Sequence, residues 1–510
     1  MQSNVRVAAL AVLIGCGVSA ALAAQAQPDW FAWFWGQNYR PLPPASPAPE
    51  GLDAPFTTVP PSGDRMHHWN HVAIDTTGLD HEPLAPGEHR VYGEQLGPGR
   101  AARAMAIVHI AIFDAVNSIA HTHHGFTGIP DVPATASMDA AIAQAAHDTL
   151  VVLFPSQRPH CDELLLADLA AIPDSHEKKI GIETGRRAAR AILARSRHDG
   201  SHHAEPVVGV DYFVSNRPGR WRPDPISGIQ VALGAHWGKV RPLVIDSATR
   251  YRVPPPPPLR SEAYARAFNE VKALGGDGVT TPTQRTSDQT LAGLFWAYDG
   301  TPSLCAPPRL YNQITVHLAD QMGLGTVDLA RLLALVNVAM SDTGIAAWES
   351  KYYWRYWRPV TGIREADPGT GPTGLGDGNK LTHGDPAFTP LGAPASNLDG
   401  PDFTPPFPAY PSGHATFGGA VFQTLRHFFG TDAIPFTFVS DELNGVTRDS
   451  NGVLRPLVPR SFATLSQAEE ENGQSRIYLG IHWEFDKTAG ITQGRRVADE
   501  VFRKAARPRS

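Results

Sequence analysis

Apolar residues recur at steps of three and four along several long stretches, the pattern of helices with one buried face. From Ala101 to Ala120 the stripe is Met105, Val108, Ile112, Val116 and Ile119, and similar patterns cover 135–154, 160–172 and 178–197. They predict an N-terminal helical bundle over 66–252. The longest pattern runs from Val327 to Trp357, with Leu329, Leu332, Leu333, Val336 and Met340 on one stripe. Pro359 closes it, because proline disfavours helix at the residue before it. Another helix starts near Gly413, with Phe417, Val421, Leu425 and Phe428 on one face, and a further one surrounds 466–480. Alternating strand patterns are scarce and no repeat of about 20–50 residues is visible, so the fold class is all-α: two helical bundles, the second over 262–510. The run Pro254–Pro258 separates the two, and a Gly/Pro-rich loop from Asp367 to Pro411 leads into the Gly413 helix.

Composition narrows the class. The 510 residues include 47 Gly and 46 Pro, 42% are hydrophobic and 18% charged, which reads as a folded protein with long, stiff loops. A net charge of −6 argues against nucleic acid as a partner. Arg6, the apolar run Val7–Ala24 and the small-residue patterns Ala21-Leu22-Ala23 and Ala24-Gln25-Ala26 predict a secretory signal peptide over 1–26. The mature protein is then expected to be secreted or periplasmic, without stable membrane insertion. An N-terminal anchor and lipidation at Cys16 rank behind, since the apolar run is short yet continues past Cys16. Residues 27–65, rich in Pro and Gly, are expected to be an extended segment. Cys161 and Cys305 either pair or stay as two buried thiols, and two cysteines exclude an iron–sulfur cluster or a Cys-rich zinc site.

Three clusters carry candidate chemistry. In Lys351-Tyr-Tyr-Trp-Arg-Tyr-Trp-Arg358-Pro359, seven residues at about 100° each come within about 20° of two turns, so Lys351 and Arg358 point the same way if the long helix persists. The flanking Trp348, Trp354, Tyr356 and Trp357 suggest a buried wall rather than a solvated charged face. In Phe407-Pro-Ala-Tyr-Pro-Ser412-Gly413-His414, a loop enters a helix N-terminus, where free N–H groups and the helix dipole make a seat for an anion. A plain helix cap at Ser412 is the competing reading, and a serine hydrolase is disfavoured because Gly-x-Ser-x-Gly is absent. In Ser475-Arg476-x3-Gly480-x-His482, Arg476 and His482 converge only if the chain bends, and Gly480 offers the bend. Asp486, four residues on, can share a helix face with His482 and orient its imidazole. Together the clusters supply cations, a hydroxyl, a backbone seat and two histidines, but no ligand set for zinc or a hard divalent cation. That set suits a tetrahedral oxyanion such as phosphate or vanadate. The histidine groups 67–71 and 121–124 lack metal-ligand spacing and are expected to pack or face solvent.

Lys351-x6-Arg358-Pro359, Pro411-Ser412-Gly413-His414 and Ser475-Arg476-x3-Gly480-x-His482, in this order, resemble the three-part signature of the vanadium-dependent haloperoxidases and type 2 phosphatidic acid phosphatases. Trp348, the stretch Phe295-Trp-Ala-Tyr-Asp299-Gly300 and Pro406–Tyr410 resemble the chloroperoxidase branch. The resemblance is strong over about 285–490. It implies two four-helix bundles with the oxyanion at the mouth of the C-terminal one, one vanadate per chain and no haem. It also implies His482 as the axial vanadium ligand and His414 as the acid–base group. Lys351, Arg358, Ser412, Gly413 and Arg476 would hold the vanadate oxygens, Asp299 would pair with a site arginine, and Trp348 and Phe407 would line the halide side. The implied activity is oxidation of chloride or bromide by hydrogen peroxide to hypohalous acid through a peroxovanadate, with Lys351 polarising the peroxide. A secreted acid phosphatase with His482 as phosphohistidine nucleophile, and a non-catalytic oxyanion-binding protein, are the alternatives.

Overall fold

The structure, a computed structural model, describes residues 30–42, 64–85 and 87–509. The expected signal peptide lies outside them. Among the described residues the regular structure is almost all helical, joined by long loops, with two short two-stranded antiparallel sheets. The first half contributes α1 (Trp30–Trp35), α2 (Arg65–Asp80), α3 (Pro98–Ala120), α4 (Met138–Leu153), α5 (Arg158–Ala170) and α6 (His176–Ser196). The second contributes α7 (Glu262–Leu274), α8 (Ser287–Phe295), α9 (Pro308–Gln321), α10 (Thr326–Trp354), α11 (Pro359–Arg364), α12 (Gly413–Phe429), α13 (Leu465–Tyr478) and α14 (Glu484–Lys504). Their starts follow local chemistry. Asp64, Ser137, Ser175, Ser261 and Thr464 accept first-turn N–H groups, and Thr286 closes a reciprocal capping box with Gln289.

The periodic stripes of the sequence are the buried faces. Helix α10 runs through the centre, packed on α3 on one side and on α12 and α14 on the other. One continuous apolar cluster therefore spans both halves of the chain. Polar ties keep α10 in register. Asn312 and Asn337 exchange side-chain amide hydrogen bonds at 2.9 and 2.7 Å, and the buried Asp342 accepts the N–H groups of Leu243, Val244 and Ile245.

Helices α12 and α14 approach closely because glycine lines their contact. A Cβ at Gly419 would stand 2.6 Å from the Ile491 carbonyl oxygen, and one at Gly490 2.9 Å from that of Ser412. This approach sets the first turn of α12 against the first turn of α14. It is the packing on which the site depends.

Strands β1 (Arg40–Pro41) and β2 (Leu398–Asp399) pair antiparallel, as do β3 (Phe436–Asn444) and β4 (Leu457–Phe462). The expectation of an extended 27–65 segment fails over Trp30–Trp35, while Arg40–Pro41 are extended in β1. Residues Trp30–Trp35 are helical and Phe31, Phe34, Trp35 and Tyr39 are buried, because this aromatic run packs on Tyr92 of the first half and Phe403 of the second. Cys161 and Cys305 do not pair, and both are buried free thiols.

Two tests follow from this packing. Gly419→Ala should cost about 1–3 kcal/mol in urea unfolding, since α12 must move off α14. His67 bridges Asp64 and Asp320, each at 2.6 Å. Burial lowers its pKa, but Asp320 and Asp64 outweigh this and raise it above 6.5. Its stabilisation, about 1 kcal/mol at most for an ion pair with exposed partners, is fully present below pH 6.5 and is lost as pH rises through the folded value. The melting temperatures of wild type and His67→Asn should differ most near pH 5 and converge in alkaline buffer.

Candidate active site

The last turns of α10 supply Trp348 and Lys351. The helix does not persist to Arg358. It stops at Trp354, Arg355 turns left-handed at φ 52°, and Arg358 becomes the extended cap of α11 at φ −80°, ψ 157°. Pro359 accounts for this, because it excludes helical backbone at Arg358. The two cations nonetheless converge after the chain turns, with Lys351 Nζ 5.0 Å and the Arg358 guanidinium carbon 4.9 Å from the Phe407 ring centre.

Ser412 caps α12, its hydroxyl accepting the Ala415 N–H at 3.4 Å. The first-turn N–H groups of Gly413 and His414 precede the helix's own ladder. His414 Nε2 donates to the Ala297 carbonyl at 2.5 Å. A carbonyl only accepts, so in the neutral ring Nδ1 carries the lone pair. Burial and then Arg476 hold the His414 pKa well below 6.5, so the ring is neutral at neutral pH.

Helix α13 ends at Tyr478, and Gly480, at φ +73°, reverses the chain so that Arg476 and His482 face one cavity. A side chain at Gly480 would also meet the Gly275 carbonyl oxygen at 2.4 Å. His482 and Asp486 do not share a helix face, because α14 begins only at Glu484. They bond across its N-terminus instead: His482 Nδ1 lies 2.8 Å from Asp486 Oδ2, which also accepts the Trp483 N–H at 3.0 Å. Arg358 Nη1 donates to His482 Nε2 at 2.9 Å. Arginine cannot accept, so Nδ1 bears the proton and Nε2 presents the lone pair.

The strap 295–300 closes the other side. Asp299 accepts Arg476 Nη2 at 2.6 and 2.9 Å, and Ala297 offers its carbonyl to His414. The strap is itself held from β3: Glu442 accepts the Tyr298 N–H at 2.9 Å, and Ser440 donates to the Phe295 carbonyl at 2.6 Å. Glu442 in turn pairs with the buried Arg455. None of this support was readable from spacing, because backbone carbonyls and a distant hairpin leave no motif.

Trp348, Phe407, Gly413, His414, Asp299, Arg476 and His482 line one cavity of about 50 Å³. The Trp348 and Phe407 rings lie 5.0 Å apart on its apolar side. Lys351, Arg358 and Ser412 stand behind this lining. The cavity is not walled by the second half alone, since Phe34, Trp35, His81 and Leu233 also contribute. Lys351 differs from expectation in its bonding. Its ammonium group donates to the carbonyls of Pro408, Ala409 and Pro411, because a buried –NH₃⁺ must place its three protons on acceptors.

Buried positive charge dominates the electrostatics. Burial, and next the adjacent Arg358, pull the Lys351 pKa well below 10.5. Burial raises Asp486 to about 7, against the pull of the nearby cations. Arg358 Nη2 and Arg476 Nε and Nη1 are buried with no protein acceptor. Unpaired guanidinium N–H groups around an imidazole lone pair fit vanadate: the ring nitrogen suits a metal centre and the donors suit its oxygens. Among the described residues there is no competing cluster of metal-ligating side chains.

The comparisons agree with this geometry. Residues 331–510 match the family described as the VCPO second helical-bundle domain. The vanadium chloroperoxidase of Curvularia inaequalis is 31% identical, across 82% of this chain and 78% of that protein. Among solved structures, the first bacterial vanadium-dependent iodoperoxidase superposes with a TM-score of 0.66 at 23% identity, covering 87% of this chain and 97% of its own. A holo-type bacterial vanadium-dependent chloroperoxidase gives 0.61 at 18% identity, covering 82% and 94%. The fold and site define an all-α protein with a buried cationic pocket, and the chain belongs to the vanadium haloperoxidase family.

Asp486→Ala strips the partner from His482 Nδ1. Orthovanadate affinity, measured by equilibrium dialysis, should then fall about 10–100-fold while thermal unfolding stays cooperative. Unchanged affinity would remove Asp486 from the support of that ring.

Proposed function

We propose that this protein is an exported vanadate-dependent haloperoxidase that oxidises chloride or bromide with hydrogen peroxide. The observation that carries the reading is the set of buried, unpartnered N–H groups on Arg358 and Arg476 around the His482 Nε2 lone pair. In balance, one peroxide, one halide and one proton give hypohalous acid and water, the halide losing two electrons to the oxygen–oxygen bond. When bound, vanadate supplies Lewis acidity that weakens that bond, and it stays pentavalent.

The chain's own groups divide the remaining work. His482 would hold the vanadium through Nε2, which here accepts from Arg358, in a tautomer held by Asp486, and Arg358, Arg476 and the first-turn N–H groups of α12 would balance the oxyanion charge. Lys351 adds positive charge beside them. Neutral His414 takes a proton from hydrogen peroxide at Nδ1 and returns it to the departing oxygen, while Ala297 holds Nε2. Arg476 is kept in place by Asp299. Trp348 and Phe407 form a dry wall beside the Lys351 charge, 5.6 and 5.0 Å from Nζ, which suits a weakly hydrated anion such as a halide.

The test is halogenation of monochlorodimedone with hydrogen peroxide and chloride, bromide or iodide, before and after loading with orthovanadate in phosphate-free buffer. Turnover should appear only after loading. His414→Ala should lower kcat about 10²–10⁴-fold while orthovanadate affinity stays within tenfold. Absence of turnover with any halide, together with vanadate-inhibited hydrolysis of p-nitrophenyl phosphate, would assign the pocket to phosphate-ester chemistry instead.

A further inference from the structure

The segment 30–41 forms part of the cavity wall, far in sequence from Asp299, Phe407, His414, Arg476 and His482 on the rest of it. Phe34 and Trp35 line the cavity directly. Trp35 is fixed by its Nε1 bond to Tyr92 Oη at 2.9 Å and by edge contact with Phe403, ring centres 5.1 Å apart. Phe31 meets the Tyr92 ring at 5.4 Å, Tyr39 meets Phe403 at 6.1 Å, and Arg40–Pro41 pair with Leu398–Asp399. Asn38 donates to the Ser227 carbonyl at 3.2 Å. The segment is thus anchored at both ends and through its aromatic side chains.

Its consequence is one of size. Under this roof the cavity measures about 50 Å³, whereas a cavity that takes up benzene measures about 150 Å³. The oxyanion itself must share the same space. Leu96, Leu233 and Phe403 also line it, and His81, the polar side chain contributed beside them, has both ring nitrogens bonded to the backbone of Thr77 and Gly97.

We infer that Phe34 and Trp35 are size-selecting residues, restricting the site to inorganic oxyanions, hydrogen peroxide and halide ions. Organic peroxides and oxyanions that carry an aryl group are excluded. The inference rests on the oxyanion site of the proposed function but does not need turnover for its test.

The experiment is retention of orthovanadate by the metal-free protein in equilibrium dialysis, with inorganic phosphate or phenylphosphonate as competitor. In the wild type phosphate should compete and phenylphosphonate should be at least 100-fold weaker. Trp35→Ala and Phe34→Ala, made separately so that one misfolded variant does not remove the test, should each narrow that ratio at least tenfold. Phosphate itself should change less than threefold. In the loaded protein the same variants should raise bromide oxidation by tert-butyl hydroperoxide relative to hydrogen peroxide. A wild type on which the two competitors act alike, or a ratio that neither variant moves, overturns the roof and leaves the oxyanion site standing. A wild type that retains no orthovanadate overturns the oxyanion reading and the roof with it.

Discussion

Positive charge buried without enough carboxylate to match it is the constraint around which the second half of this protein is arranged. Lys351, Arg358 and Arg476 are all nearly inaccessible to solvent. Removing a charge from water costs several kcal/mol even after relaxation, and the cost is reduced only by placing every N–H on an acceptor. The chain partly does so. Carbonyls of 408–411 take Lys351, Phe407 and Ile481 carbonyls take Arg358, and Asp299 takes one edge of Arg476. The donors left over mark where an anion would fit; burial first and the neighbouring cations second depress the Lys351 and His482 pKa values, and an anion would offset the second effect.

The same burial prepares the two histidines for different work. Each is held neutral by desolvation and by its cationic neighbours, yet each is tied through a different nitrogen. His482 donates its Nδ1–H to Asp486 and keeps a lone pair on Nε2, which accepts from Arg358, whereas His414 donates its Nε2–H to the Ala297 carbonyl and keeps its lone pair on Nδ1. A carboxylate behind the first raises its basicity, and a carbonyl behind the second leaves it a moderate base. In the proposed function, ligand and proton carrier would therefore differ in what stands behind the ring rather than in the ring itself.

Rigidity comes from layers that do not touch the anion. Glycine contacts draw α12 onto α14, and Glu442 with Arg455 holds the 295–300 strap. The first half of the chain then supplies α3 against α10, and the aromatic segment across the top. A bundle alone would leave the pocket open to water, in which the same charges would interact far more weakly.

The helices were legible because their apolar stripes repeat every three to four residues, a local property of the chain. Thus α3 was expected from Ala101 to Ala120 and found at Pro98–Ala120, and α12 was placed at its observed start, Gly413. The residue types around the cavity were legible too, since Lys351, Arg358, His414, Arg476 and His482 occur in short stretches of unusual chemistry. The end of α10 was misjudged by three residues, because helical periodicity carries no sign of a left-handed residue at Arg355. The segment 27–65 was expected to be extended from its prolines, yet Trp30–Trp35 form a helix, because the partners that bury its aromatic rings, Tyr92 and Phe403, lie far along the chain. Sequence by itself determined the elements and the reactive groups, which depend on neighbours a few residues apart. Tertiary structure alone decided which nitrogen each imidazole presents, which donors stay unpaired and how little room is left above them, because those depend on carbonyls, carboxylates and rings brought together from both halves of the chain.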